Sequence, residues 1–155
     1  MLATGGNVSI TRNFSHVDYV DVSTSGTGED NLMSYTVGPY LFPLRSAMKI
    51  TANGSITDTN NGDKSIKLHV GLFEVTVLPA ADVATGNWIL EALLVCNSAT
   101  NIDIIWKFTS EAAVTQGNDK TNAQDISASF IIKLTGTCSD ATDLITQSNM
   151  IIKYL

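Results

Sequence analysis

The chain has 155 residues, of which 44% are hydrophobic and only 15% charged, and its net charge is −6. Length alone lets one domain bury its own core without metal or disulfide staples, and charge this far below the roughly 25% of an average soluble domain leaves Ser, Thr, Asn and Gly to cover the surface. The nine basic residues form no cluster, which argues against a nucleic-acid groove or an anionic membrane surface as partner.

From Met1 to about Asn13 the residues are mostly Gly, Thr, Asn and Ser with isolated Val8 and Ile10, an arm with little core of its own. It lacks the basic start and apolar centre of a secretory signal. Val17 to Val22 (VDYVDV) alternates as a short edge strand. A Gly-rich acidic turn, STSGTGED, leads to a second strand at Leu32 to Val37. Residues 1–23 are therefore assigned to the arm and edge segment, and residues 24–155 to a folded domain.

Gly38 to Pro43 (GPYLFP) carries two of the three prolines and reads as a loop pinned by aromatic side chains. Tyr35, Tyr40 and Phe42 around it are the preferred contact patch, for a neighbouring subunit or a ligand, because aromatic rings join a large apolar surface to specific stacking geometry. Met48 to Thr57 resumes alternation, with Asn53-Gly54 offering a turn or bulge. The polar tip DTNNGDK follows. It resembles a calcium loop only faintly, since the terminal bidentate Glu is missing and His69 stands there. A solvated hairpin tip is the preferred reading, and Ser139, Asp140 and Asp143 are read in the same way.

Ser65 to Leu78 reads as a hairpin or bent strand through Ile66, Leu68, Val70 and then Phe73, Val75, Val77. After the loop beginning at Pro79 comes the stretch that organises the rest, Gly86 to Asn97 (GNWILEALLVCN). One face is Trp88, Leu90, Ala92, Leu94, Cys96 and the other Ile89, Glu91, Leu93, Val95, so an extended chain is apolar on both sides except at Glu91. Antiparallel sheets commonly leave one face to water, so the second face calls for cover. A second copy of the chain is the expected cover.

Ile102 to Thr109 puts Ile102, Ile104, Trp106 and Phe108 on one face and Ile105 opposite. Ser110 to Thr115 is expected to be at most a turn of helix, and Gln116 to Gln124 a loop. Ile126 to Thr135 alternates again, and Asn149 to Leu155 closes the chain as a strand. The sum is an all-β, antiparallel two-sheet β-sandwich, jelly-roll-like, of about eight strands. The self-association surface is assigned to Ile89, Leu93, Val95, Ile105, Ile151 and Leu155.

Catalytic parts are wanting. His16 and His69 lack the paired spacing of a zinc site, and there is no G-x-S-x-G elbow, phosphate-binding Gly-rich loop or H-E-x-x-H. Glu29 and Asp30 are sequence neighbours whose side chains diverge in a strand. Trp88 and Trp106 are assigned to the core, and Cys96 is read as a small buried hydrophobe. The expectation is no enzyme, no cofactor and no metal.

Taken in order, TSGTGEDNLMSYTV, KITANGSI, KSIKLHVG, NWILEALLV, IIKLTG and the ending IIKYL resemble a β-sandwich domain that recurs in tailed-bacteriophage virion proteins. Gly28, Glu29, Asp30, Leu32, Ser34, Tyr35, Ala52, Gly54, Lys64, Ile66, Leu68, Gly71, Trp88, Glu91 and Ala92 fall on its motif positions, and the similarity runs from about Thr24 to Leu155. VGPYLFPL departs from the Asn- and Ala-rich turn of that pattern, so contact specificity is not carried over. The resemblance implies a non-enzymatic, trimeric jelly roll in the virion. The short arm favours a capsid decoration protein, as cement or head fibre, with the major capsid protein or another virion protein as partner. The alternative is the receptor-binding knob of a tail fibre or spike that recognises a cell-surface glycan.

Overall fold

The computed structural model describes residues 15–121 and 124–155. The arm reading of residues 1–13 thus falls outside the described residues. Within them the chain forms eleven strands: β1 (Ser15–Asp18), β2 (Val22–Ser23), β3 (Glu29–Val37), β4 (Ala47–Thr57), β5 (Asp63–Val70), β6 (Phe73–Asp82), β7 (Gly86–Cys96), β8 (Ile102–Ser110), β9 (Val114–Lys120), β10 (Phe130–Cys138) and β11 (Leu144–Tyr154).

Two antiparallel sheets face each other. The larger has the order β1-β11-β4-β7-β8-β9, with β2 also on β11, and the smaller has the order β3-β10-β5-β6. With β8 and β9 set aside, each sheet holds four positions, and the last strand lies between the first strands and β4 while β10 lies between β3 and β5. That interleaving of early and late strands is the jelly roll; β8 and β9 extend one sheet beyond it. Ser15–Ser23 belong to the large sheet through β11, so the segment read as one edge strand is two short ones.

The period-2 alternation explains the layers. Trp88, Leu90, Ala92, Leu94 and Cys96 of β7 are all buried, as are Ile102, Ile104, Trp106 and Phe108 of β8. They meet Ile66, Leu68 and Val70 of β5 and Ile132 and Leu134 of β10 in one core. Each Leu, Ile, Val or Phe among them contributes about 1.5–3 kcal/mol by leaving water. Trp88 stacks on Phe108 with ring centroids 5.9 Å apart.

Three expectations are corrected. The bulge expected at Asn53-Gly54 lies on the partner strand, where β11 shifts register between Gln147 and Asn149. A Cβ on Gly54 would stand 1.8 Å from the Thr146 carbonyl oxygen, so glycine is what lets the backbones approach there. The helical turn and loop expected at Ser110 to Gln124 contain β9, whose pattern of half-buried Thr115, Gly117 and Asp119 carries no apolar period. Gly117 faces the Trp106 indole, 2.7 Å from where its Cβ would be, and Asp119 accepts the indole N–H at 2.8 Å.

The third correction concerns the polar tip after β4. It crosses from one sheet to the other rather than closing a hairpin, and it is pinned by a buried ion cluster. The Lys64 ammonium is fully buried, 2.5 Å from Asp58 Oδ1 and 3.1 Å from Asp143 Oδ2. Asp143, also fully buried, accepts the backbone N–H groups of Thr59 (2.7 Å), Asn60 (3.2 Å) and Gly62 (3.0 Å). The cation of this loop is a lysine side chain. Burial, the largest influence on Lys64, pulls its pKa down, yet hydrogen bonds to Asp58 and Asp143 outweigh it and the net shift is upward.

Candidate interaction face

The outward face of the large sheet is laid out by strand register. One row across it runs Lys153, Lys49, Leu93, Ile105, Asn118, and the next Ile151, Thr51, Glu91, Lys107, Gln116. Ala47, Val95, Asp103 and Lys120 make a third row, and Asn53, Ile89, Thr109 and Val114 a fourth. Leu93 and Ile105 are direct cross-strand neighbours, a pairing worth roughly 0.2–1 kcal/mol. Around them the sheet forms a shallow depression with Lys49, Glu91, Lys107, Gln116 and Asn118 along its sides.

No described part of the chain covers this face. Ile89 is 49% exposed and Ile105 47%, while Leu93, Val95 and Ile151 are half-buried among their strand neighbours. Leu155 lies just past β11 and is exposed; its N–H donates to the Ala47 carbonyl at 2.9 Å, which places it at the end of the row that runs through Ala47 to Val95. The six residues assigned to self-association therefore gather on one side of the molecule, though lysines and amides divide them into islands rather than a continuous apolar sheet.

The electrostatics of the face are distinct from those of the whole. Lys49 Nζ lies 2.8 Å from Glu91 Oε1, and that hydrogen bond holds the Glu91 carboxyl below the usual carboxylate range. Lys120 stands 3.7 Å from Asp103. Lys107 and Lys153 tip the face to positive in a chain whose net charge is −6. Asp58, Asp63, Asp82, Asp140 and Asp143 gather instead at the far end of the sandwich, around Lys64.

The aromatic patch does not survive as a unit. Phe42 is fully buried with its ring 6.4 Å from Phe130, so it is a core residue and not a free contact. Tyr35 is half-buried and stacks on His16 at 4.5 Å. Tyr40 is 71% exposed. The proline loop still presents apolar surface, through Tyr40, Leu41 and Leu44; Leu44 gave no periodic signal and was missed.

On the outer face of the small sheet a polar network joins Glu29, Lys67, Glu74 and His69. Lys67 Nζ lies 3.2 Å from Glu74 and 3.4 Å from Glu29. His69 Nε2 lies 3.0 Å from Thr135 Oγ1 and 3.4 Å from Glu29 Oε1. Burial, then the neighbouring Lys133 charge, lowers the His69 pKa. Asp30 points elsewhere and accepts the Ser25 N–H at 2.6 Å, the divergence expected of adjacent strand residues. These are cross-strand ion pairs on the sheet surface. Cys96 and Cys138 are both free and buried; they end strands at opposite ends of the sandwich.

The architecture defines the class as an antiparallel jelly-roll β-sandwich. No protein-family description matches the chain, and no curated protein matches it by sequence. Solved structures similar to it include the VP2 subviral particle of infectious bursal disease virus (12% identity, TM-score 0.48), which covers 100% of this chain and 37% of that one. The Gt strain of the same virus is similar as well (13% identity, TM-score 0.46, 99% of this chain and 36% of that one). A third is the CBM2 module of the evolved Dit of Lactobacillus casei BL23 phage J-1, at 4% identity and TM-score 0.41 over 77% of this chain and 67% of that one. The chain thus spans little more than a third of the two bursal disease virus chains, and at these identities the likeness is one of architecture alone.

Proposed function

We propose that the chain is a non-enzymatic structural protein of a bacteriophage virion that self-associates, as a trimer, through the outer face of its large sheet. The observation that carries this reading is the cross-strand pair of half-buried Leu93 and half-exposed Ile105 near the centre of that face, with half-exposed Ile89 further along β7 beyond Glu91. Exposed apolar side chains grouped on one sheet face support an association site, here as islands set among polar residues. The order of the phage-like motifs from Gly28 to Ala92 supports a virion setting, and a capsid decoration role is the favoured placement.

Light scattering on the purified chain at micromolar concentration tests the assembly. A mass of three chains is expected, and replacing Ile89 and Ile105 by lysine should reduce it to one. A stable monomer in the unmodified protein rejects the reading. The placement is tested by whether the chain co-purifies with capsids or with tails. The alternative, a glycan-binding knob, is weakened by the burial of Phe42 and the stacking of Tyr35 under His16, which leave Tyr40 as the exposed ring of the patch.

A further inference from the structure

The connection from β4 to β5 contains an Asn-Gly step, Asn61–Gly62, one of two in the chain. Asn-Gly is the dipeptide at which a polypeptide most readily damages itself. The glycine backbone nitrogen loses its proton and attacks the asparagine side-chain carbonyl carbon; the bond to the amide nitrogen breaks, ammonia leaves and a cyclic succinimide remains. Water then opens the ring to aspartate or to isoaspartate, which adds a methylene to the main chain.

The fold requires this pair. Asn61 holds a φ of 54°, a left-handed conformation that asparagine tolerates better than most residues. A Cβ on residue 62 would stand 2.6 Å from Asp143 Oδ2 and 2.9 Å from the Asp140 Cβ, so only glycine fits. Asn61 is exposed, within reach of water and hydroxide.

The proton that must leave is nevertheless engaged. The Gly62 N–H donates to Asp143 Oδ2 at 3.0 Å, and that carboxylate is fully buried. The Asn61 N–H donates to Asp58 Oδ1 at 3.0 Å, so the peptide groups on both sides of Asn61 are fixed and the nitrogen is kept from swinging toward the side chain. Asp58 and Asp143 outnumber Lys64, which lies between them, and the surroundings stay negative. Removal of the Gly62 proton would set an amide anion against a carboxylate at hydrogen-bond distance, and like charges that close disfavour ionisation. That anion is the nucleophile.

We infer that Asn61–Gly62 is a deamidation site that the fold keeps closed, with Asp143 as the residue that closes it. The other Asn-Gly step, Asn53–Gly54, is closed by a different means, since it lies within β4 between β7 and β11. Chemical durability is thereby tied to one ion cluster. Isoaspartate at position 61 would displace the Gly62 N–H from Asp143 and loosen the crossover between the sheets.

The test keeps the full chain at mildly alkaline pH and reads conversion at residue 61 by fragmenting the peptide that carries both Asn53 and Asn61. In the folded, unsubstituted chain Asn61 should convert at least about tenfold more slowly than in the same chain in concentrated guanidinium, because each unit of raised pKa at the amide lowers the anion, and with it the rate, tenfold. Asp143→Asn keeps the shape of the side chain and removes its charge. With its fold checked by a cooperative melt, it should convert at residue 61 about tenfold faster than the unsubstituted chain, while Asn53 stays intact. A folded, unsubstituted chain that converts at the denatured rate overturns the inference, as does a folded Asp143→Asn chain that converts no faster, or one in which Asn53 converts equally. Should Asp143→Asn lose its cooperative melt, hydrogen exchange at Gly62 in the unsubstituted chain replaces it. Base-catalysed exchange passes through the same amide anion, so protection of at least about a hundredfold over an unstructured peptide is expected; exchange at the unstructured rate overturns the inference.

Discussion

Lys64 shows how a single residue can organise a loop that looks like a solvated tip. Its ammonium sits with no exposure between Asp58 and Asp143, and removal of one partner from a buried ion pair leaves the other charge uncompensated. Lys64→Met is expected to destabilise the fold by about 3–5 kcal/mol, read as a lower urea midpoint. Asp143 adds a pH dependence. The Thr59 N–H is the largest of the influences that bring its pKa down to about 2, against an unfolded value of roughly 3.9. The unfolded chain therefore takes up the proton first as pH falls. The stability Asp143 contributes is complete above about pH 4 and is lost on descent through pH 2. Urea midpoints at pH 5 and pH 2.5 should show the fall, and Asp143→Asn should flatten it.

At the scale of elements, the connection 38–46 and the strand β9 are each positioned by one side chain that packs inward. Phe42→Ala removes the plug of the loop and is expected to cost about 3–5 kcal/mol, whereas Tyr40→Ala should stay within roughly 0.5 kcal/mol. Thermal melts of the two variants side by side separate anchor from display. Gly117→Val would drive a side chain into the Trp106 indole and break its bond to Asp119, so near-ultraviolet circular dichroism should lose intensity and tryptophan emission should shift to the red. Strand β9 escaped the sequence reading because its inward positions are Thr115, Gly117 and Asp119. An apolar period cannot mark a strand whose inner face must leave room for a neighbour's indole.

At the scale of the whole molecule, the chain is a closed core with an uncovered side. Cys96 and Cys138 lie at opposite ends of the strands and are free, so reductant is expected to leave the melting temperature unchanged; a downward shift would reveal a disulfide. Assembly on the large-sheet face should be driven by apolar contact. On the proposed self-association reading, raised salt is expected to leave the assembly unchanged or strengthen it slightly, since screening weakens the positive charge that Lys107 and Lys153 place on the face. Trimer loss in sedimentation runs at high salt would assign the contact to ion pairs instead.

What the residues determined by themselves was the strand architecture and its two-sided centre. Alternation in β7, β8 and β10 is a local property, fixed by the period of the extended chain, and it marked Ile89, Leu93, Val95 and Ile105 as a face distinct from the core. Tertiary structure alone decided which distant groups would share an environment: Lys64 with Asp143, Gly117 with Trp106, and Phe42 with Phe130. Proline and polar spacing conceal such pairings, because burial of a loop residue depends on the element that folds over it and not on its own neighbours in the chain.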